Sequence, residues 1–341
     1  MSTDSESLVV VGGSADSLVA DDLDALRAEA AEAFSGARSK NTQIAYEKAW
    51  SAFASWCDAN QLASFPASPE TVVLYLTALA RRCKLATLRL HLTAINVRHR
   101  DAGHAQPGDF PPMRAFMRGL AKRLGSAPAP KRALTPEQIA GMIDTLDLRT
   151  RIGLRDRAIL LLGLAMAARR SELVALDLED LEERDRGLRV RIRFSKTDQE
   201  GRGAVIGIPR TGHPELCPVG AVRAWIEGAE LTAGPLFRAV DRHGRVSADR
   251  LGSREVARIV KAGASRIGLA PDQYAAHSLR SGFATAAAEG GAEERDIMRQ
   301  TRHASERMVR RYIQEGTLFG GSNPAADVLG RVAAASRRRD E

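Results

Sequence analysis

The sequence predicts a mainly α-helical protein in two parts: a helical bundle over residues 35–124 and a larger α-helical part over 135–325 holding one small antiparallel β-sheet. Three observations lead there. Apolar residues recur at helical spacing through most of the chain, with capping residues and prolines where the runs begin. One stretch, Gly187 to Phe194, alternates apolar and charged residues with the period of a half-buried strand. Between the parts, Gly125 to Leu134 reads GSAPAPKRAL, an extended linker by composition. At 341 residues the chain is too long for one ordinary core, which agrees with the division.

Taken in order, residues 1–34 open with small, polar and acidic residues and read as a mobile arm. A short amphipathic helix is possible there, with Leu18, Leu23, Leu26 and Phe34 loosely on one side. The first firm helix carries Tyr46, Trp50, Phe53 and Cys57 on one face, with Thr42 as the expected N-cap. SPETVVLYL then places Ser68 at a cap, Pro69 at the first helical position and Glu70 in the first turn. Leu85, Leu88, Leu92 and Ile95 give the next helix its period, and Gly103 can end it. PPMRAFMRGLAKRLG begins with proline and carries Arg114, Arg118, Lys122 and Arg123 on its polar side. After the linker, Thr135, Pro136 and Gln138 form a capping-box pattern. The run from Leu154 to Leu181 reads as a long buried helix ending at Arg169, followed by a short one. In GLRVRIRF, Leu188, Val190, Ile192 and Phe194 alternate with arginines, and AVIGIP supplies a pairing strand. From Pro218 to about Ala335 the pattern is helical again.

Hydrophobic content of 44% and charged content of 27% are those of a soluble globular protein. No apolar run approaches a membrane span and no targeting pattern opens the chain, so a cytoplasmic protein is expected. Cys57, Cys83 and Cys217 are odd in number and widely spaced, which suits neither a disulfide framework nor a metal knuckle. Net charge is +8, but residues 1–33 hold eight acids against Arg27 alone. The remainder carries 49 basic and 34 acidic residues, a balance of +15. A basic body on this scale favours a polyanion, most often nucleic acid, over an ordinary arginine-rich enzyme.

Four separated segments carry polar residues in unusual places. In AARRSELVAL, Arg169 follows an apolar run and Glu172 lies three residues on, within reach. A helix-terminal arginine answering the dipole is the plainer alternative. In FSKTDQEGRG, Lys196 is the sole lysine between Lys131 and Lys261 in a chain that prefers arginine, and an ammonium can give up a proton where a guanidinium cannot. AHSLRSGF brings His277 and Arg280 to one face of a helix start. HASERMVRRYIQ puts Tyr312, one of four tyrosines, among Arg307, Arg310 and Arg311, nine residues after His303. Singly, each histidine reads as a surface or capping residue. Together, the two arginines, lysine, two histidines and tyrosine suit phosphoryl transfer. Arg169 and Arg280 can bind non-bridging oxygens, Tyr312 can attack phosphorus with His277 as base, Lys196 can protonate the leaving alkoxide, and His303 can hydrogen-bond a phosphoryl oxygen. No carboxylate cluster or Cys/His set with ligand spacing is apparent, so the arginines are expected to stand in for a metal ion, with no cofactor.

The ordered set R, K, H-x-x-R, H, Y resembles the tyrosine recombinase (phage integrase) family. RDRAILLLGLAMAARRSELVAL is similar to its first arginine box, HSLRSGFAT to its second, and RHASERMVRRYIQ to its histidine-to-nucleophile segment. The resemblance covers about residues 35–330, and TLRLHLTAINVRHRDAG is similar to a helix of simple two-domain, Cre-like or Xer-like members. It implies catalytic positions at Arg169, Lys196, His277, Arg280, His303 and Tyr312, with Glu172 supporting the first arginine. It implies a core-binding, SAM-like DNA-binding domain over 35–124, a catalytic domain over 135–325, and a docking helix with a basic tail over 326–341. Val328, Leu329 and Val332 would dock that helix on a neighbouring protomer, or else on their own domain. The implied reaction is site-specific strand exchange through a 3′-phosphotyrosyl link and a Holliday junction, by a homotetramer on two DNA duplexes, without metal or ATP. Two positions depart from the family pattern: Ala167 and Arg302 stand where glycine is usual, which is expected to shift backbone packing near the site.

Two other readings remain open: type IB topoisomerase-like relaxation, and a catalytically silent sequence-specific DNA-binding protein. The bundle, the short linker and the tail favour recombination over the first, and the intact residue set argues against the second. Candidate DNA-facing helices are MRAFMRGLAKR, with Arg114, Arg118, Lys122 and Arg123, and SREVARIVKAGASR, with Arg254, Arg258 and Lys261.

Overall fold

The computed structural model describes residues 23, 25–27, 29, 38–125, 131–193, 203–303, 305–318, 325 and 328–332. The chain divides into two compact units, Met1–Pro128 and Ala129–Glu341. Among the described residues no helix is long and apolar enough to cross a membrane.

In the first unit, α1 (Lys40–Ala59), α2 (Pro69–Leu79), α3 (Leu85–Asp101) and α4 (Pro111–Leu124) surround one core that includes Phe53, Cys57, Val72, Leu76, Leu88, Ile95, Met113 and Leu120. The helical spacing of those residues is what closes the bundle. The cap of α1 is Ser39 rather than Thr42: the Ser39 hydroxyl accepts the Thr42 N–H at 3.3 Å, so Thr42 stands inside the first turn. Ser68, Pro69 and Glu70 open α2 as expected, and Gly103, at φ 76°, follows the end of α3. His99, fully buried, ties α3 to the segment before α2. Its Nε2 accepts the Ala67 N–H at 2.8 Å, so its Nδ1 is the protonated nitrogen and donates to the Ile95 carbonyl at 2.8 Å.

In the second unit, α5 (Pro136–Asp144) begins with the expected capping box. The buried helix α6 (Arg151–Ala165) passes through the core against α5, α7 (Arg170–Ala175), α8 (Pro218–Gly228), α9 (Ser253–Arg266) and α10 (His277–Glu289). Two short helices follow, α11 (Glu294–Thr301) and α12 (Glu306–Gly316). The sheet is β1 (Leu181–Arg184), β2 (Gly187–Ile192) and β3 (Ala204–Pro209), all antiparallel, with Leu188 opposite Ile208 and Val190 opposite Ile206. Leu188, Val190 and Ile192 are buried while Arg189 and Arg191 face out, which is the alternation read from the sequence. Phe194 lies outside the described residues.

Three expectations need correction. The long apolar run does not end at Arg169: α6 stops at Ala165 and a turn intervenes before α7. The region after Pro218 is not wholly helical, because β4 (Arg238–Val240) and β5 (Val246–Arg250) form a second, two-stranded sheet. Its strands RAV and VSADR, like β1 with LEER, are short, polar and largely solvent-facing, so they lack the alternation that marks a half-buried strand. Finally, the linker composition overreaches at its C-terminal end. Leu134 is fully buried, its N–H donates to the Ser278 carbonyl at 3.1 Å, and the Arg132 N–H donates to the Gln273 carbonyl at 2.8 Å. Residues 132–134 therefore pack as part of the second unit.

Candidate active site

The C-terminal end of α6 organises the site. A helix leaves its last carbonyls without intrahelical partners. Three successive carbonyls here receive side chains from later elements: Ala165 from Gln300 Nε2 at 2.8 Å, Met166 from Arg302 Nη1 at 3.1 Å, and Ala167 from Arg280 Nη1 at 2.7 Å. The turn that presents them passes through Ala167 at φ 45°, in the left-handed region. The chain then enters α7 with Arg169 at its N-cap.

Arg169 and Glu172 are brought together as the spacing suggested. The Glu172 Oε1 accepts from Arg169 Nη1 at 2.5 Å, and Oε2 accepts the Arg169 backbone N–H at 3.0 Å. Glu172 is buried. Burial opposes its ionisation, but the Arg302 charge together with the Arg169 and Arg302 hydrogen bonds outweighs that and holds the carboxyl below its ordinary range. The pair is thus a buried anion with two guanidinium partners, an arrangement that survives desolvation where a lone carboxylate would not.

His277 opens α10, and Arg280 lies one turn on, fully buried. Arg280 is held at two points: Nε donates to His303 Nε2 at 3.3 Å and Nη1 to the Ala167 carbonyl. Among the described residues its buried Nη2 has no hydrogen-bond partner. A buried N–H without a partner is costly, so this donor is available to an acceptor that reaches it. Burial first, then the Arg169 charge, lowers the Arg280 pKa to about 10, so it remains a cation at neutral pH.

His303 precedes α12. The Thr301 hydroxyl lies 2.6 Å from the Ile297 carbonyl, to which it donates, and 2.7 Å from His303 Nδ1. Its one hydrogen being spent, the Thr301 oxygen accepts from His303 Nδ1–H, which leaves Nε2 unprotonated and able to accept from Arg280. Burial, then the Arg280 and Arg169 charges, lowers the His303 pKa to about 4, in keeping with this neutral form. In the free protein His303 therefore orients Arg280.

Tyr312 is buried on α12, its Oη 3.0 Å from His277 Nε2, its ring 5.8 Å from the His303 ring. His277 keeps an exposed edge, yet desolvation of its ring, then the Arg280 and Arg169 charges, lowers its pKa, which favours the neutral imidazole able to accept a phenolic proton. The phenol's own pKa is raised: burial outweighs the nearby charges of Arg280 and Arg311. The arginine-rich neighbourhood read from the sequence is thus mostly elsewhere. Arg307 is exposed, and Arg310 pairs with Glu294 at 3.0 Å and Glu306 at 2.7 Å. The helix period turns sequence neighbours away from Tyr312 and leaves Arg280, from another helix, as the main guanidinium beside it.

Five of the six expected catalytic residues, Arg169, His277, Arg280, His303 and Tyr312, with Glu172, converge in one cluster. Lys196 lies outside the described residues. The candidate DNA-contact residues are not part of the cluster. Arg114, Arg118, Lys122 and Arg123 are exposed on α4. On α9, Arg254 is exposed, Arg258 pairs with Glu255 at 2.6 Å, and Lys261 is half-buried beside Asp272 at 3.3 Å.

The structure also recruits residues that the spacing left unassigned: Gln300, Thr301 and Arg302. Arg302 sits at φ 55° and ψ 43°, and its side chain is 10% exposed. So the two positions that depart from glycine, Ala167 and Arg302, both adopt left-handed backbone. The turn is kept at a cost of about 1–2 kcal/mol for each Cβ rather than repacked. That departure was the visible signal.

Comparison with known proteins bears on what this cluster serves. Residues 132–317 match the model of the phage integrase family. The chain is 39% identical over 285 residues to an integrase/recombinase XerD homologue of Selenomonas ruminantium, covering 83% of this chain and 84% of that protein. It is 26% identical to the recombinase Cre of Escherichia phage P1, covering 77% of this chain and 80% of that one. A lambda integrase dimer bound to a COC′ core site matches with a TM-score of 0.54 at 17% identity, covering 81% of this chain and 89% of that one, a likeness of fold.

Proposed function

The chain belongs to the phage integrase family and is a site-specific tyrosine recombinase, and from that premise we propose that Tyr312 is its nucleophile and the cluster around it the catalytic site. The observation that carries this assignment is the 3.0 Å contact between Tyr312 Oη and His277 Nε2, set beside the unpartnered buried Nη2 of Arg280.

In this reading a backbone phosphate of duplex DNA supplies the missing acceptor for Arg280 Nη2, and Arg169 binds a second non-bridging oxygen. Tyr312 Oη attacks phosphorus as His277 Nε2 takes the phenolic proton, a transfer the raised phenol pKa requires. The guanidinium pair neutralises charge that grows on the equatorial oxygens. The 5′ oxygen leaves with a proton, the role that falls to Lys196. His303 holds Arg280; to donate to a phosphoryl oxygen it would have to move its proton to Nε2, with Thr301 rotating to donate to Nδ1. The product is a 3′-phosphotyrosyl link that keeps the bond energy, so a 5′-OH from a second duplex can reverse the step without ATP and give a Holliday junction. The assembly is a homotetramer on two duplexes. Supporting it, Val328, Leu329 and Val332 are all strongly exposed, an apolar set that the described residues of their own domain do not cover. The first unit, with exposed arginines along α4, is the core-binding domain, and the protein acts in the cytoplasm of a bacterial host.

The test uses a DNA site enriched from a fragment library by the purified protein, then nicked so that cleavage cannot reverse. In EDTA, wild type is expected to give a denaturation-resistant protein–DNA adduct and Tyr312→Phe none. Tight site-specific binding without an adduct would leave a DNA-binding protein on a recombinase fold. An adduct persisting in Tyr312→Phe would mean another residue is the nucleophile.

A further inference from the structure

We propose that Arg302 is a positioning residue for strand cleavage: from a left-handed turn it clasps Glu172, and through Glu172 it holds the Arg169 guanidinium in place. The inference rests on the catalytic assignment above and extends it to a residue outside the six.

The geometry makes the argument. Arg302 Nη2 donates to Glu172 Oε2 at 2.8 Å, the same oxygen that accepts the Arg169 backbone N–H. Its Nη1 donates both to the Met166 carbonyl at 3.1 Å and to the Gln300 carbonyl of its own turn at 2.7 Å. One guanidinium therefore joins two backbone carbonyls and a carboxylate: the Met166 carbonyl past the end of α6, the Gln300 carbonyl in the last turn of α11, and Glu172 of α7, which in turn accepts the Arg169 N–H. Glycine would hold a turn at φ 55° without strain, yet it would leave Glu172, whose side chain is 1% exposed, without this second cation. A strained backbone spent on a side chain engaged through both Nη atoms points to a function for that side chain. The Arg302 charge is also the leading influence that keeps Glu172 ionised against its burial. The neighbouring residues follow the same logic, since Gln300 caps Ala165 and Thr301 holds His303. The turn before α12 is thereby registered against the turn before α7, and the two turns carry Arg169 and His303.

The experiment is single-turnover cleavage of the nicked site, beside equilibrium binding to the same DNA, for Arg302→Met, Arg302→Lys, Glu172→Gln and the doubles with Glu172→Gln. Arg302→Met is expected to slow adduct formation by about 10- to 100-fold with binding changed less than about threefold. Arg302→Lys should recover part of the rate, because it keeps the cation on Glu172. In the Glu172→Gln background, the Arg302→Met effect should shrink to less than about threefold, the signature of two residues acting as one unit. Wild-type cleavage rates in Arg302→Met, with only a lower melting temperature, would overturn the proposal. So would an equal slowing with and without Glu172. If Arg302→Met does not fold, the Arg302→Lys cycle with Glu172→Gln decides by the same criterion. Absence of an adduct in wild type would strike the catalytic assignment instead, and the two failures are told apart.

Discussion

The proposed chemistry rests on protonation states that individual contacts set. His277 and His303 both titrate below the ordinary histidine value, because burial and the arginine charges disfavour imidazolium. A base whose folded pKa is lowered stays neutral at pH 6.5. The acid limb of cleavage under subsaturating DNA, which reports the free protein, should therefore fall below pH 6.5. A limb centred above 6.5 would contradict the environment of His277. Stability follows the same sign. The unfolded chain takes up the His303 proton near pH 6.5 and the folded one only near 4, so this contribution is complete above about 6.5 and is lost as pH falls toward 4. Thr301→Val keeps the side-chain shape and removes the acceptor for His303 Nδ1–H. Nitrogen NMR of the His303 ring should show the Nδ1–H tautomer dominant in wild type and reduced in the variant. An unchanged tautomer would mean that Arg280 alone orients the ring.

At the scale of elements, close backbone approaches decide what the helices tolerate. Gly282 lies on α10 where an added Cβ would stand 2.1 Å from the Leu134 carbonyl oxygen, and the obstacle is main chain. Gly282→Ala is expected to destabilise the second unit by about 1–3 kcal/mol, and to disturb the α10 start that carries His277 and Arg280. Gly119, on α4, has nothing within 4 Å, so Gly119→Ala should stabilise the first unit by up to about 1 kcal/mol through helix propensity. Thermal melts of the two variants should move in opposite directions, and a shift of the same sign would refute the packing argument. The helices α1 to α4 were legible because apolar periods and helix-opening prolines are local signals. The strands β1, β4 and β5 were not, because short polar strands are held by pairing partners distant in sequence.

For the whole molecule, the chain divides into two units with separate cores, and Leu134, read from composition as linker, finds its place in the second core. The exposed Val328, Leu329 and Val332 bear on assembly. A chain truncated before residue 325 is expected to cleave a nicked site at a rate near wild type and to fail at strand exchange between two duplexes. Retained exchange would remove the tail from the assembly.

Taken by itself, the sequence determined the helical class, the β2–β3 alternation and the family to which the chain belongs. Each depends on periodicity, caps or the spacing of chemically distinct side chains, which are properties of the chain order. The tertiary structure alone decided which cations face Tyr312, which nitrogen of His303 carries its proton, and that Arg302 joins the Glu172 pair. Those outcomes depend on which helix ends and turns fold together: Arg302 meets Glu172 and Arg280 meets the Ala167 carbonyl from more than a hundred residues apart, while burial and shared hydrogen bonds set the proton of His303 and the surroundings of Tyr312.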